Sequence, residues 1–137
     1  MQIQPYLFFD GSCEQALQFY QRAVGARTEM IMRFKDSPEP PPPGMVPPNY
    51  GDKVMHSSSR IGDSIVMAAD DCTGGTQVHS GFALSISTGD AGLAKKYFDA
   101  LADGGQVMMP LSKTFWSPAF GMLRDRFGIH WMVSAGG

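Results

Sequence analysis

One pattern narrows the folds open to this chain more than any other: the order strand, helix, three strands is written twice. ALQFYQRAVGA at 16–26 resembles LAKKYFDALADGG at 93–105, with Phe19 and Tyr20 answering to Tyr97 and Phe98. IGDSIVMA from Ile61 resembles FGIHWMVS from Phe127, with Gly62 answering to Gly128. The interval between hairpins is shorter than that between helices, and a proline-rich insertion carried only by the first half, 37–51, absorbs the difference. Such a repeat sets the architecture before any single residue is weighed. It predicts an α+β chain of two βαβββ modules, 1–70 and 80–137, within one domain of 137 residues.

The local signals fill in that plan. Ile3 to Phe9 is rich in β-branched and aromatic residues and reads as a first strand. Ser12, with Gln15 three residues on, is a capping-box pattern, and Ala16, Leu17, Tyr20, Ala23 and Val24 follow at helical spacing until Gly25. Arg27 to Phe34 alternates as a strand, with Met30 and Met32 on one side. SPEPPPPGMVPPNYG, from Ser37 to Gly51, holds seven of the ten prolines and lacks the amide donors of a ladder. It is expected as a semi-rigid flap or a plain surface loop. Val54 to Arg60 and Ser64 to Ala69 then form a hairpin.

In the second half, Gly81 to Ser87 is a strand, and Asp90 caps a helix with the apolar stripe Leu93, Ala94, Tyr97, Phe98 and Leu101, stopped by Gly104 and Gly105. Gln106 to Met109 is a short strand. Phe120 to Arg124 and Ile129 to Ser134 form the closing hairpin. Met30, Met32, Met108 and Met109 are read as adaptable core and sheet packing.

A net charge of -2 and scattered basic residues give no footprint for nucleic acid. No apolar run reaches bilayer length, so no membrane association is expected. MQIQPYLFF carries neither a basic flank nor a cleavage site, which predicts a cytoplasmic protein. Cys13 and Cys72 belong to no CxxC unit and are expected as reduced, structural thiols.

With the paired modules, the strings PYLFF, CEQALQFY, FDALADGGQVMMPL, TFWSPAFGMLRDRFG and IHWMV resemble the PhnB-like family. It is also labelled 3-demethylubiquinone-9 3-methyltransferase and belongs to the glyoxalase, bleomycin-resistance and extradiol-dioxygenase (vicinal oxygen chelate) superfamily. The resemblance implies curled mixed sheets around a concave cavity, a small-molecule ligand and a homodimer. It does not carry the labelled activity with it, because a Rossmann-type methyltransferase needs a parallel sheet and a glycine-rich loop after a strand, and neither is found.

Metal-dependent members place His, Gln or Glu on the first and fourth strand of each module. The repeat carries those positions to Pro5, Ala83, Val66 and Met132, and none is a usable ligand. The expectation is therefore a cavity without a metal or other cofactor. The alternative is a metal-dependent lyase, isomerase or dioxygenase with a non-standard ligand set. A registry slipped by one would bring in Gln4, Tyr6, Met67, Phe82, Trp131 or Val133, and is rejected because it turns Phe82, Leu84 and Ile86 away from the helix.

In the preferred registry Gly81, Ala83, Ser85, Ser87, Ser64, Val66, Ala68, His130, Met132 and Ser134 line the concavity, and His56 shares a side with Val54 and Ser58. His56 and His130 are candidates for orienting a ligand, for acid–base work or for an unfamiliar metal set. Phe115 and Trp116, in a loop, are candidates for a ligand wall or a dimer contact. Ser85 and Met132 complete the candidate ligand-binding residues; no catalytic residue is assigned. Asp125, between Arg124 and Arg126, is read as structural, through turn-capping or an ion pair, and His79 as a loop histidine.

Overall fold

The computed structural model describes residues 1–38, 49–71 and 78–136. Most of the expected loop at 37–51 lies outside these residues, as does Cys72. The chain forms two compact units, Met1–Gln77 and Val78–Gly137. The first holds β1 (Tyr6–Phe9), α1 (Cys13–Val24), β2 (Arg27–Arg33), a single 3-10 turn (Phe34–Asp36), β3 (Val54–Ile61) and β4 (Ser64–Asp70). The second holds β5 (Leu84–Thr88), α2 (Ala91–Ala102), β6 (Gln106–Ser112), β7 (Ala119–Arg124) and β8 (His130–Ala135).

Both units have the same sheet. The strand orders are β1-β4-β3-β2 and β5-β8-β7-β6, each with one parallel pair and two antiparallel pairs. The two βαβββ modules are thus as the repeat predicts, and the helices correspond residue for residue, Cys13 with Ala91 and Val24 with Ala102.

Each helix covers one face of its own sheet and leaves the other uncovered by a helix. In the first unit Leu7, Phe9, Val66, Ala68 and Val54 are buried beneath Ala16, Leu17 and Tyr20 of α1. In the second, Trp131, Val133, Ala135 and Leu123 are buried with Phe98 and Leu101 of α2. Gly121 is there because nothing larger fits: a Cβ would stand 2.7 Å from Phe98 Cε2 and 2.9 Å from Leu111 Cα.

Some sequence expectations change. Ser12 makes no side-chain cap. Asp70, buried at the end of β4, takes over, accepting from Cys13 N at 2.9 Å and from Val54 N at 3.0 Å. One carboxylate thereby satisfies an orphan donor of α1 and joins the helix to β3. In α2, Asp90 does cap as expected, its Oδ1 accepting from Gly92 N at 2.8 Å. Ile3 is fully exposed and β1 begins only at Tyr6, while β6 runs on through Pro110 to Ser112, which an edge strand tolerates. Met30, Met108 and Met109 are exposed on edge strands and are not core.

Candidate functional site

Alternation along the strands sorts the side chains, and the two units sort them in opposite phase. Leu7 is 2% exposed and Tyr6 36%, so β1 turns its odd-numbered residues to the helix. In β5, Leu84 and Ile86 sit in the rows of buried Trp131 and Val133, so even-numbered residues face the helix and Ser85 and Ser87 the open side. The connections explain the shift. Three residues, 10–12, join β1 to α1, but only two, 89–90, join β5 to α2. The hairpin turns differ likewise by an odd number, two residues at 62–63 against five at 125–129. Each odd difference moves a strand to the other face.

Val66 and Ala68, expected in the ligand wall, are therefore buried against α1, and Tyr6 and Met67 occupy the open face. A one-residue slip is right for the first unit and wrong for the second. Val54 also parts company with His56: an irregularity between Met32 and Arg33 in the pairing with β3 leaves Val54 buried while His56 stays open.

On the open face of the first sheet, Tyr6 Oη lies 2.9 Å from His56 Nδ1, and Phe8 stacks on Tyr6 with ring centroids 4.9 Å apart. Burial, with a smaller contribution from the Cys13 thiol, holds the Tyr6 phenol above its usual value, so it stays protonated. In the Nε2–H tautomer of His56 that phenol donates to Nδ1 and fixes the imidazole plane.

The open face of the second sheet carries three rows. His130 pairs Arg124, which pairs Gln106; Ser85, Met132, Met122 and Met109 form the next row; Ser87, Ser134, Phe120 and Ser112 the third. Trp116 packs over the last row, its ring 5.5 Å from Phe120, with Phe115 at 4.7 Å from Trp116. Ser117 sets that loop: its hydroxyl lies 2.7 Å from the carbonyl oxygens of Ala119 and Ala135, and its amide donates to Thr114 Oγ1. Phe115 remains 97% and Trp116 57% exposed.

The structure thus places Ser85, Met132 and His130 on one open face, with Trp116 at its edge and Phe115 beside it. His56 lies on the open face of the other unit. Sequence reasoning missed Tyr6, Arg124, Met122 and Phe120. The same alternation that located Met132 would have found them, once each strand's phase was set by its own buried neighbours.

Asp125 is structural, as expected. It is buried, and its carboxylate accepts from Phe127 N at 2.8 Å, Ile129 N at 3.1 Å and Trp131 Nε1 at 2.9 Å. His79 stands by the same turn; burial pushes it below the usual histidine value, with nearby His130 adding to this and Asp125 opposing it. Cys13 is a free, buried thiol pushed up to about 12, by burial first and then by Asp70, so it is inert rather than nucleophilic.

The residues at the metal positions do not fit a divalent cation. With the phase of the first unit corrected, its positions fall to Tyr6 and Met67; in the second unit the residue paired with Met132 is Ser85 rather than the expected Ala83, and none of these is a His, Gln or Glu. Among the described residues no three His, Cys, Asp or Glu side chains converge as a metal would need.

A family model described as 3-demethylubiquinone-9 3-methyltransferase matches residues 1–134. The chain belongs to that family, the PhnB-like family. It is 36% identical to Protein YjdN of Escherichia coli, over 98% of this chain and 95% of that protein. Protein PA1353 from Pseudomonas aeruginosa is 38% identical and superimposes with a TM-score of 0.87 over 99% of this chain and 98% of its own. A Bacillus cereus PhnB protein, itself described as a putative 3-demethylubiquinone-9 3-methyltransferase, gives 0.79 at 23% identity, over 99% and 100% of the two chains. The wider fold is that of a glyoxylase/bleomycin resistance protein/dioxygenase domain from Frankia, with a TM-score of 0.71 at 14% identity and 100% and 98% coverage. For this PhnB-like chain, family and fold agree with the double βαβββ architecture.

Proposed function

We propose that this PhnB-like protein binds a small organic ligand on the open faces of its sheets, without a metal at the superfamily's usual positions, and works as a homodimer. The observation that carries the reading is the second sheet's open face. Met122, Met132 and Phe120 lie half-exposed in adjacent rows with Trp116 standing over the end, while nothing at the metal positions is a ligand. Half-exposed methionine and aromatic surface favours apolar contact with an adaptable fit. His56, His130 and Ser85 supply polar orientation. The family's methyltransferase label is not favoured, because neither strand order is that of a doubly wound parallel sheet.

A metal-dependent lyase, isomerase or dioxygenase is the second reading, and one observation favours it. His56 Nδ1 lies 2.9 Å from Tyr6 Oη, and in the tautomer in which Nδ1–H donates to that oxygen, Nε2 carries the lone pair that a metal ion needs.

Elemental analysis of freshly purified protein, followed by titration with Zn, Ni, Mn and Fe, separates the two. Stoichiometric metal that is lost in His56→Ala and His130→Ala would overturn the metal-free reading. For the ligand surface, Trp116→Ala should weaken binding of apolar fluorescent probes several-fold and leave the urea midpoint unchanged. Unfolding of that variant would place Trp116 in the core.

A further inference from the structure

We infer that the ligand taken by the second unit is an amphipathic organic monoanion, a carboxylate or sulfonate attached to a flat apolar body, lying along β7 with its charge at Arg124. The inference rests on the reading of that open face as the ligand surface, and adds to it the charge and length of the occupant.

The face is polarised along its strands. At one end stand Gln106, Arg124 and His130; the middle is Met122 and Met132; the far end is Phe120 beneath Trp116. Arg124 and Phe120 are four residues apart on one strand, roughly 13 Å at the rise of a β-strand. That is the length of a molecule of two or three fused or linked rings with a charged substituent.

Arg124 is the group that sets the charge. Its Nη2 donates to Gln106 Oε1 at 3.1 Å, a neutral acceptor that leaves most of the guanidinium's five donors for other partners. The ion pairs among the described residues use Arg33, Lys35, Arg60, Lys95 and Arg126, not Arg124. The adjacent acid forms no ion pair with Arg124: Asp125 is buried, and its carboxylate accepts from two turn amides and the Trp131 indole. Beside Arg124 an open recess of about 560 Å³ runs past Gln106, Asp125, Arg126, Phe127 and the glycines at 104, 105 and 128. Gly105 packs directly on the backbone at the end of β7, since a Cβ there would lie 2.2 Å from Arg124 O. An exposed guanidinium at the end of the apolar strip of Met122 and Phe120 suits an oxyanion, carboxylate or sulfonate, two of whose oxygens can take parallel N–H bonds. The chain as a whole is anionic, with net charge -2, so a preference for an anion has to arise locally.

Two dyes with nearly the same skeleton test this on the full chain: anilinonaphthalene sulfonate, which is anionic, and phenylnaphthylamine, which is neutral. The sulfonate should bind about tenfold more tightly, the scale of a charge-assisted hydrogen bond. Arg124→Gln should abolish that preference with the neutral dye's affinity unmoved, Arg124→Lys should keep most of it, and Trp116→Ala should weaken both dyes. Equal binding of the two dyes, or a sulfonate affinity that survives Arg124→Gln, would overturn the monoanion while leaving an apolar ligand surface intact. If neither dye binds, the surface reading falls and the inference with it.

Discussion

Asp125 does more for this fold than its place in a turn implies. Three donors converge on one buried carboxylate, and one is the indole of Trp131, so the closing hairpin is tied to its own core side chain. Asp125→Ala would leave buried N–H groups unpaired, and urea denaturation should show a loss of about 3 kcal/mol. Cys13 makes a second case at this scale. With its thiol pushed up to about 12 in the folded chain, against an ordinary 9.0, the unfolded state ionises first. Stability should therefore fall as pH rises above 9.0 towards 12. In a Cys72→Ser background, a disulfide reagent should label Cys13 only once the protein is unfolded. Rapid labelling of the native protein would mean that the thiol is accessible.

At the scale of elements, Arg33 is a junction. Its guanidinium forks onto Glu14 of α1 and also donates to Asp52 O at 2.9 Å, joining helix, β2 and the segment leading into β3. The hydrogen bond from Arg33 holds the Glu14 carboxyl below its ordinary 4.5. A depressed carboxylate contributes above its unfolded value, and that contribution is lost as pH falls through the lower folded value. The pair is partly exposed, so the effect on stability is small. An NMR titration should put Glu14 below 4.5 and return it towards 4.5 in Arg33→Gln. None of this was legible beforehand, since nothing in the spacing of residues 14, 33 and 52 brings them together.

The elements themselves were legible because the helix stripes and turn glycines are local signals. Their facing was only half legible. Ser85 and Met132 were placed correctly, but Val66 and Ala68 were not, because matching the repeats by helices and turn glycines carries no information on how many residues each connection spends. The Ser12 cap failed for a related reason: its replacement, Asp70, lies 57 positions in sequence from Cys13, whose amide it caps.

For the whole molecule, the family and its double βαβββ plan follow from the repeat and from the strings around Phe19 and Trp131. The homodimer is a proposal at this scale, and sedimentation decides it. The native chain should sediment at twice its 14.9 kDa mass at micromolar concentration, and a species of one chain mass would refute it. No helix among the described residues is long and apolar enough to cross a membrane.

The connection that is one residue shorter before α2 than before α1 also governs how the two halves tolerate change. In a saturation scan for retained fold, permissive sites on the first strands should run in antiphase: positions 6 and 8 in one half, 85 and 87 in the other. Duplicated halves related in this way do not accept each other's substitutions position by position. A polar change that drifts harmlessly through one copy is, at the matched site of the other, a core lesion. The two copies have been free to diverge in what they expose only by becoming unable to exchange what they bury.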